Sequence, residues 1–131
     1  MGKGKNDPNC KQNSAISSML VLNDLTAQDI KEMLDTVLVA GGLKGADLTG
    51  VDLTGANLAN ANLSGADLSC ADLRGANLYY VNLKGSSLID ANLIDVDLAG
   101  ASLRRASLRD ANLTRADLTS ANLTGTKGLK R

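Results

Sequence analysis

Histidine, tryptophan and phenylalanine are absent from this sequence, proline occurs once, and cysteine and tyrosine occur twice each. Without histidine the commonest general acid–base group is missing, and Cys70 has no evident base to activate it. Nothing matches a phosphate-cradling loop, a zinc spacing or a calcium-binding loop, so no cofactor and no metal are expected. Cys10 lies in a polar head and Cys70 at a corner of the repeat described below. Two cysteines make no disulfide framework, and the expectation is a reduced thiol pair. Charge of one sign is not in excess either: 14 Lys plus Arg face 14 Asp plus Glu. No global field therefore argues for direct nucleic-acid binding. Long apolar runs are lacking too. Met19-Leu20-Val21-Leu22 is too short to span a bilayer, and Met1 to Ser14 has no apolar core of a signal peptide. These absences predict a chain without membrane association, placed in the cytoplasm, and not an enzyme.

What the chain does have is a beat. Leucine recurs every fifth residue from Leu43 to Leu123, seventeen times without a slip. Two residues before each leucine stands Ala in most repeats, with Val51, Val81, Val96 and Ser86 among the exceptions; Asp, Asn or Ser usually stands immediately before it. A helix would rotate each leucine by roughly 140° from the last, so no apolar stripe could form. One continuous strand would flip successive leucines to opposite faces. The chain must therefore turn once per repeat, with Ala and Leu inward, the Asp/Asn/Ser outward and the next two residues at the corner. Gly fills the second corner position at 45, 50, 55, 65, 75, 85, 100 and 125, and Asn fills it at 60. These are the residues that accept the positive φ of a type II turn. From Asp90 onward that position holds Asp, Arg or Ser except at Gly100 and Gly125, and another turn type is expected there.

The outward residues before the leucines indicate the number of sides. Compared with themselves 20 residues on they are identical in 7 of 13 pairs, against 4 of 14 at an offset of 15. Like stacking on like favours four repeats per coil, and hence just over four coils.

The copies Gly45-Ala46-Asp47-Leu48-Thr49 and Ser120-Ala121-Asn122-Leu123-Thr124 resemble the pentapeptide-repeat family, whose motif reads A(D/N)LXX. The resemblance implies an all-β solenoid, a right-handed quadrilateral parallel β-helix, with the handedness coming from the family. The expected organisation is a disordered tail over 1–13, a helical cap over 14–40, the coil over 41–126 and a basic tail over 127–131. In the cap, Thr26 is placed as N-cap, and Ile30, Met33, Leu34, Val37 and Leu38 form one apolar face. Gly41-Gly42 ends the helix. An apolar-faced helix before the first coil reads as a lid on its open end.

The opposite end lacks a helix. Gly128 stands where a leucine is due, leaving two options: Leu129 folds under the last coil, or two molecules meet there. The resemblance favours the second, a homodimer through the C-terminal end, because family members often dimerise that way. Charge is uneven along the chain, with a net of −4 over 41–100 and +5 over 101–131. Arg104, Arg105, Arg109 and Arg115 are therefore candidates for a basic partner surface. Tyr79, Tyr80, Ile89 and Ile94, at outward corners, are candidates for an apolar one. The functional expectation is a non-enzymatic interaction module for a protein partner that the residues do not name. The alternative, mimicry of DNA toward gyrase as in family members that protect it from quinolones, wants a long acidic rod. This coil is short, and the chain is neutral. The family is abundant in cyanobacteria, so a regulatory role in such a cell is also implied by the resemblance.

Overall fold

The computed structural model describes residues 43–129. The expected tail, the cap with Ile30, Met33, Leu34, Val37 and Leu38, and the last two basic residues lie outside the described residues.

The residue before each leucine forms a parallel bridge to its counterpart 20 residues on, from Asp47 with Asp67 to Ser107 with Lys127. Four five-residue repeats thus complete one coil, and successive coils lie about 4.8 Å apart. Four ladders define four faces. The first carries Asp47, Asp67, Ser87, Ser107 and Lys127; the second Asp52, Asp72, Asn92 and Asn112. The third carries Asn57, Asn77, Asp97 and Asp117; the fourth Asn62, Asn82, Ser102 and Asn122. The corner preceding each face takes that face's number, so Arg104 and Arg105 occupy the first corner and Arg109 the second.

The repeat gives nearly every backbone amide of an interior coil an acceptor, which is the physical reason for its five positions; among the described residues the exceptions are Ile89, Arg104 and Arg109, two residues after Ser87, Ser102 and Ser107. In the first described coil, the Ala46 amide donates to the Leu43 carbonyl across the corner at 3.0 Å. Leu48 and Gly50 donate to Asp67 and Ser69 of the next coil at 2.8 and 2.9 Å, and Asp67 donates back to Ala46 at 2.9 Å. The remaining amide, that of Thr49, points along the outer surface and is accepted by the Asp47 carboxylate at 3.2 Å. Asp and Asn repeat this last bond throughout, for example Asn57 to Ala59, Asn77 to Tyr79, Asp97 to Ala99 and Asn122 to Thr124. The outward Asp/Asn is therefore a backbone cap (an Asx turn).

All seventeen corners take the same left-handed conformation, with φ between +54° and +70°. Here the structure differs from the sequence reading, because Asp90, Asp95, Arg105, Asp110, Arg115 and Ser120 do not adopt another turn type. Where a further coil follows, the bonds on either side of the corner set its geometry: Asp90 donates to Arg109 and Arg105 to Thr124, both at 2.9 Å, as Gly50 does to Ser69. Past Asp110, Arg115 and Ser120 the turn is closed by the Ala111, Ala116 and Ala121 amides donating to Leu108, Leu113 and Leu118. The ladder overrides local preference at roughly 1–2 kcal/mol for each unsuitable residue. Two substitutions of opposite sign follow. A Cβ at Gly65 would meet nothing within 4 Å. Gly65→Ala should therefore cost only the φ strain, about 1 kcal/mol, whereas Asp110→Gly should gain up to about 1 kcal/mol by relieving it. Urea melts of both variants check the pair; a stabilising Gly65→Ala would contradict it.

Inside, the leucines from Leu53 to Leu103 are fully enclosed. At the C-terminal end Leu113, Leu118 and Leu123 are only partly buried. The register does not stop at Thr126. Lys127 bridges Ser107, donates to Ala106 at 2.9 Å and accepts from Leu108 at 2.7 Å. The Thr126 hydroxyl donates to the Leu103 carbonyl at 2.7 Å, and Leu129 packs against the core. The coil therefore runs at least one ladder position past its expected boundary, and of the two options left open, Leu129 does fold against the end.

Candidate functional site

The register distributes the candidate residues around the coil. Tyr79 and Tyr80 share the fourth corner, their rings edge to face at a centroid separation of 4.5 Å, and they are 45% and 56% exposed. The Tyr80 ring lies over Gly100 one coil on, where a Cβ would come within 2.7 Å of it. Ile89 is on the second corner, diagonally opposite, and Ile94 on the third; both are half-buried. The four apolar candidates are thus not brought together, and only the tyrosines form a continuous patch.

The arginines are split as well. Arg115 lies on the third corner, where its Nε and one terminal nitrogen donate to the two oxygens of Asp95 one coil earlier, at 2.6 and 3.1 Å. This hydrogen bond holds the Asp95 carboxyl below the usual carboxylate range and raises Arg115. Arg104 and Arg105 stand at the start of the first face and Arg109 at its far end, so these three bracket one surface. Sequence reasoning missed Lys127, which the extended ladder places on that same face directly over Ser107. The signal available was positional: Lys127 stands 20 residues after Ser107.

The carboxylates serve the backbone. Asp47 and Asp67, Asp52 and Asp72, and Asp97 and Asp117 do stack as the spacing predicts. Each accepts a bond from the amide two residues on. The Thr119 hydroxyl and amide together hold the Asp117 carboxyl below its ordinary range. Asp72 is buried and takes a two-pronged bond from Arg74 at 2.9 and 2.7 Å, which raises Arg74. Among the described residues no group of acidic or sulfur side chains could hold a metal ion, and no helix is long and apolar enough to cross a membrane. The expected pair of reduced thiols is corrected at Cys70, which is buried and disulfide-bonded; its partner is not among the described residues. Spacing along the sequence carried no signal for that bond.

Parallel one-residue bridges, a leucine column behind each face and a left-handed corner every fifth residue define a β-helical solenoid. The family profile described as Pentapeptide repeats matches residues 43–78, 56–93 and 91–127. The chain belongs to the pentapeptide-repeat family. Solved structures similar to it include the pentapeptide repeat protein Rfr23 of the cyanobacterium Cyanothece 51142, at 38% identity and a TM-score of 0.61. That match covers 63% of this chain and 56% of Rfr23. A pentapeptide repeat protein from Nostoc Pcc 7120 is 41% identical over 65% of this chain and 72% of its own, with a TM-score of 0.41. One from the Arabidopsis thaliana thylakoid lumen is 34% identical over 71% and 66%, with a TM-score of 0.46. The chain thus spans little more than half the length of Rfr23 and just under two thirds of the Arabidopsis protein. No curated protein matches it.

Proposed function

We propose that this chain is a non-enzymatic interaction module, a right-handed coil capped by the apolar-faced helix ahead of it, that presents rigid faces to a protein partner. The observation carrying this reading is the near-complete use of the interior backbone. With the coils bonded to one another at every repeat, the outward side chains are held at fixed spacing and ordered before any partner arrives, so little entropy is lost on docking. The outward aspartates and asparagines are engaged as caps, and the groups left facing solvent, Tyr79, Tyr80, Arg104, Arg105 and Arg109, suit binding more than chemistry. The mixture of these cations with aspartates does not imitate the uniform acidity of a DNA backbone, so mimicry toward gyrase is not the reading adopted. The partly exposed Leu113, Leu118 and Leu123 support a homodimer through the C-terminal end, and Leu129 against that end limits its apolar area.

The proposed compartment is the cytoplasm. The disulfide at Cys70 pulls the other way, because the reducing poise there opens such bonds; trapping of free thiols in freshly lysed native cells decides between them.

The module reading is tested by affinity capture on the full chain from native cells, with Tyr79→Ala/Tyr80→Ala and Arg104→Glu/Arg105→Glu variants in parallel. A protein retained by the wild type and lost from one variant of unchanged melting temperature is the expected result. Retention of nothing, or retention indifferent to every surface variant, overturns the reading. Sedimentation of wild type against Leu118→Lys separately tests the dimer, which is abandoned if the wild type stays monomeric at high micromolar concentration.

A further inference from the structure

We propose that the C-terminal half of the first face is a docking strip for a short acidic segment of a partner protein. The inference rests on the interaction-module reading and adds the partner's chemistry.

Five cations converge there. Lys84, Arg104 and Arg105 line the first corner on successive coils, Arg109 closes the far side of the face, and Lys127 stands over Ser107 on the face itself. All five are exposed, and none makes an ion pair among the described residues, in contrast to Arg74 and Arg115. Between them the outward residues are Ser87 and Ser107, neutral hydroxyls able to donate to a carboxylate. The strip is built, since Lys127 belongs to a segment pinned at Thr126, Lys127 and Gly128. Thr126 donates to Leu103, Lys127 exchanges bonds with Ala106 and Leu108, and Gly128 is seated against the Arg109 backbone. The Arg105 side chain passes over Gly125 of the next coil, where an added Cβ would come within 3.3 Å of its Cγ.

The size of the positive area selects the occupant. With coils about 4.8 Å apart, Lys84 and Lys127 are separated by only two coils along the axis, roughly 10 Å. Below Ser87 the same face continues as Asp67 and Asp47, and Asp90 and Asp110 lie on the corner beside Arg109. A nucleic-acid strand long enough to gain from counterion release would run across these carboxylates. A peptide with three or four clustered Asp or Glu residues ends before it reaches them. Arginine forks at both edges of the face can grip carboxylates in pairs, which sharpens the preference for a segment of matching width.

The test is fluorescence anisotropy of the full-length protein with a labelled twelve-residue Glu/Gly peptide at low and high salt. A single-stranded oligonucleotide of equal charge serves as the competing probe. Saturable peptide binding that weakens with salt is expected. It should fall at least tenfold in Arg104→Gln/Arg105→Gln and in Lys127→Glu, and stay unchanged in Arg115→Gln. Circular dichroism melts confirm that the variants fold, and Arg109→Gln serves as an independent variant should one of them not. Absence of saturable binding at low salt, or equal loss in Arg115→Gln, overturns the proposal. Equal or tighter binding of the oligonucleotide overturns it in favour of a general polyanion site. Either failure leaves the module reading standing, because affinity capture of a partner through the tyrosine corner would be unaffected.

Discussion

Leu78→Ala is expected to lower the unfolding free energy by about 3–5 kcal/mol, the upper part of the range for emptying a buried leucine site. Leu78 is fully enclosed, between Leu58 and Leu98 of the neighbouring coils. How much such a change costs depends on how far the surroundings collapse into the space. Here they cannot collapse, because the coils on either side are held apart by backbone bonds. Leu58 donates to Asn77 and Leu78 to Asp97, both at 2.8 Å, while Asn77 and Asp97 donate back to Ala56 and Ala76. The spacing is fixed by the ladder, and the cavity stays open. Leu118→Ala, at the open end of the same column, should cost roughly 1–2 kcal/mol, because its leucine is only partly buried and its removal leaves a dent in place of a cavity. Urea unfolding of the two variants measures the difference directly. Equal costs would mean that the C-terminal end is covered in solution, which is what the homodimer requires, so the ratio of the two values also reports on assembly.

The column, the number of sides and the inward Ala were legible because each is a periodic demand: one apolar residue must enter the core per side, and a slip of one residue would turn it outward. Stacked Asp47 and Asp67 or Asn57 and Asn77 even gave the coil length, since the bridges pair those residues. The corners were legible only where glycine advertised them. At Tyr80, Asp90 and Arg105 the left-handed conformation is imposed by hydrogen bonds to the adjacent coil, a tertiary constraint with no local signature. The role of the outward Asp and Asn was half-read. Their position was evident, but the bond to the amide two residues on shows only once the ladder has used every other amide. The candidate surface fared least well, because a charge count along the chain ignores which corner each residue reaches. Arg104, Arg109 and Arg115 look equivalent in sequence, yet a period of 20 places them on three corners, pairs one with Asp95 and adds Lys127 to the others.

Gly128 shows the same dependence of a local choice on its neighbours, and Gly128→Ala should have a larger effect than its small size suggests. A Cβ there would lie 2.5 Å from both the Cα and the amide nitrogen of Arg109 and 3.0 Å from the Leu108 carbonyl carbon. Backbone atoms cannot swing aside as a side chain would, and the φ of +76° adds strain of its own. The segment must therefore lift. Lifting breaks the Leu108–Lys127 and Lys127–Ala106 bonds and removes Leu129 from the core. Two hydrogen bonds and a partly buried leucine amount to about 2–4 kcal/mol of local stability. Because each coil touches only its neighbours, the loss should remain at that end of the solenoid. Hydrogen exchange should show the amides of Leu108 and Lys127 deprotected while Leu68 and Leu73 keep their protection. Gly65→Ala, the same chemical change at an open corner, should leave all four as they were. Protection retained at Leu108 in Gly128→Ala would mean that the tail is not seated on the first face. The acidic-segment strip would then lose Lys127 as a fixed member and should bind the peptide no better than Lys127→Glu.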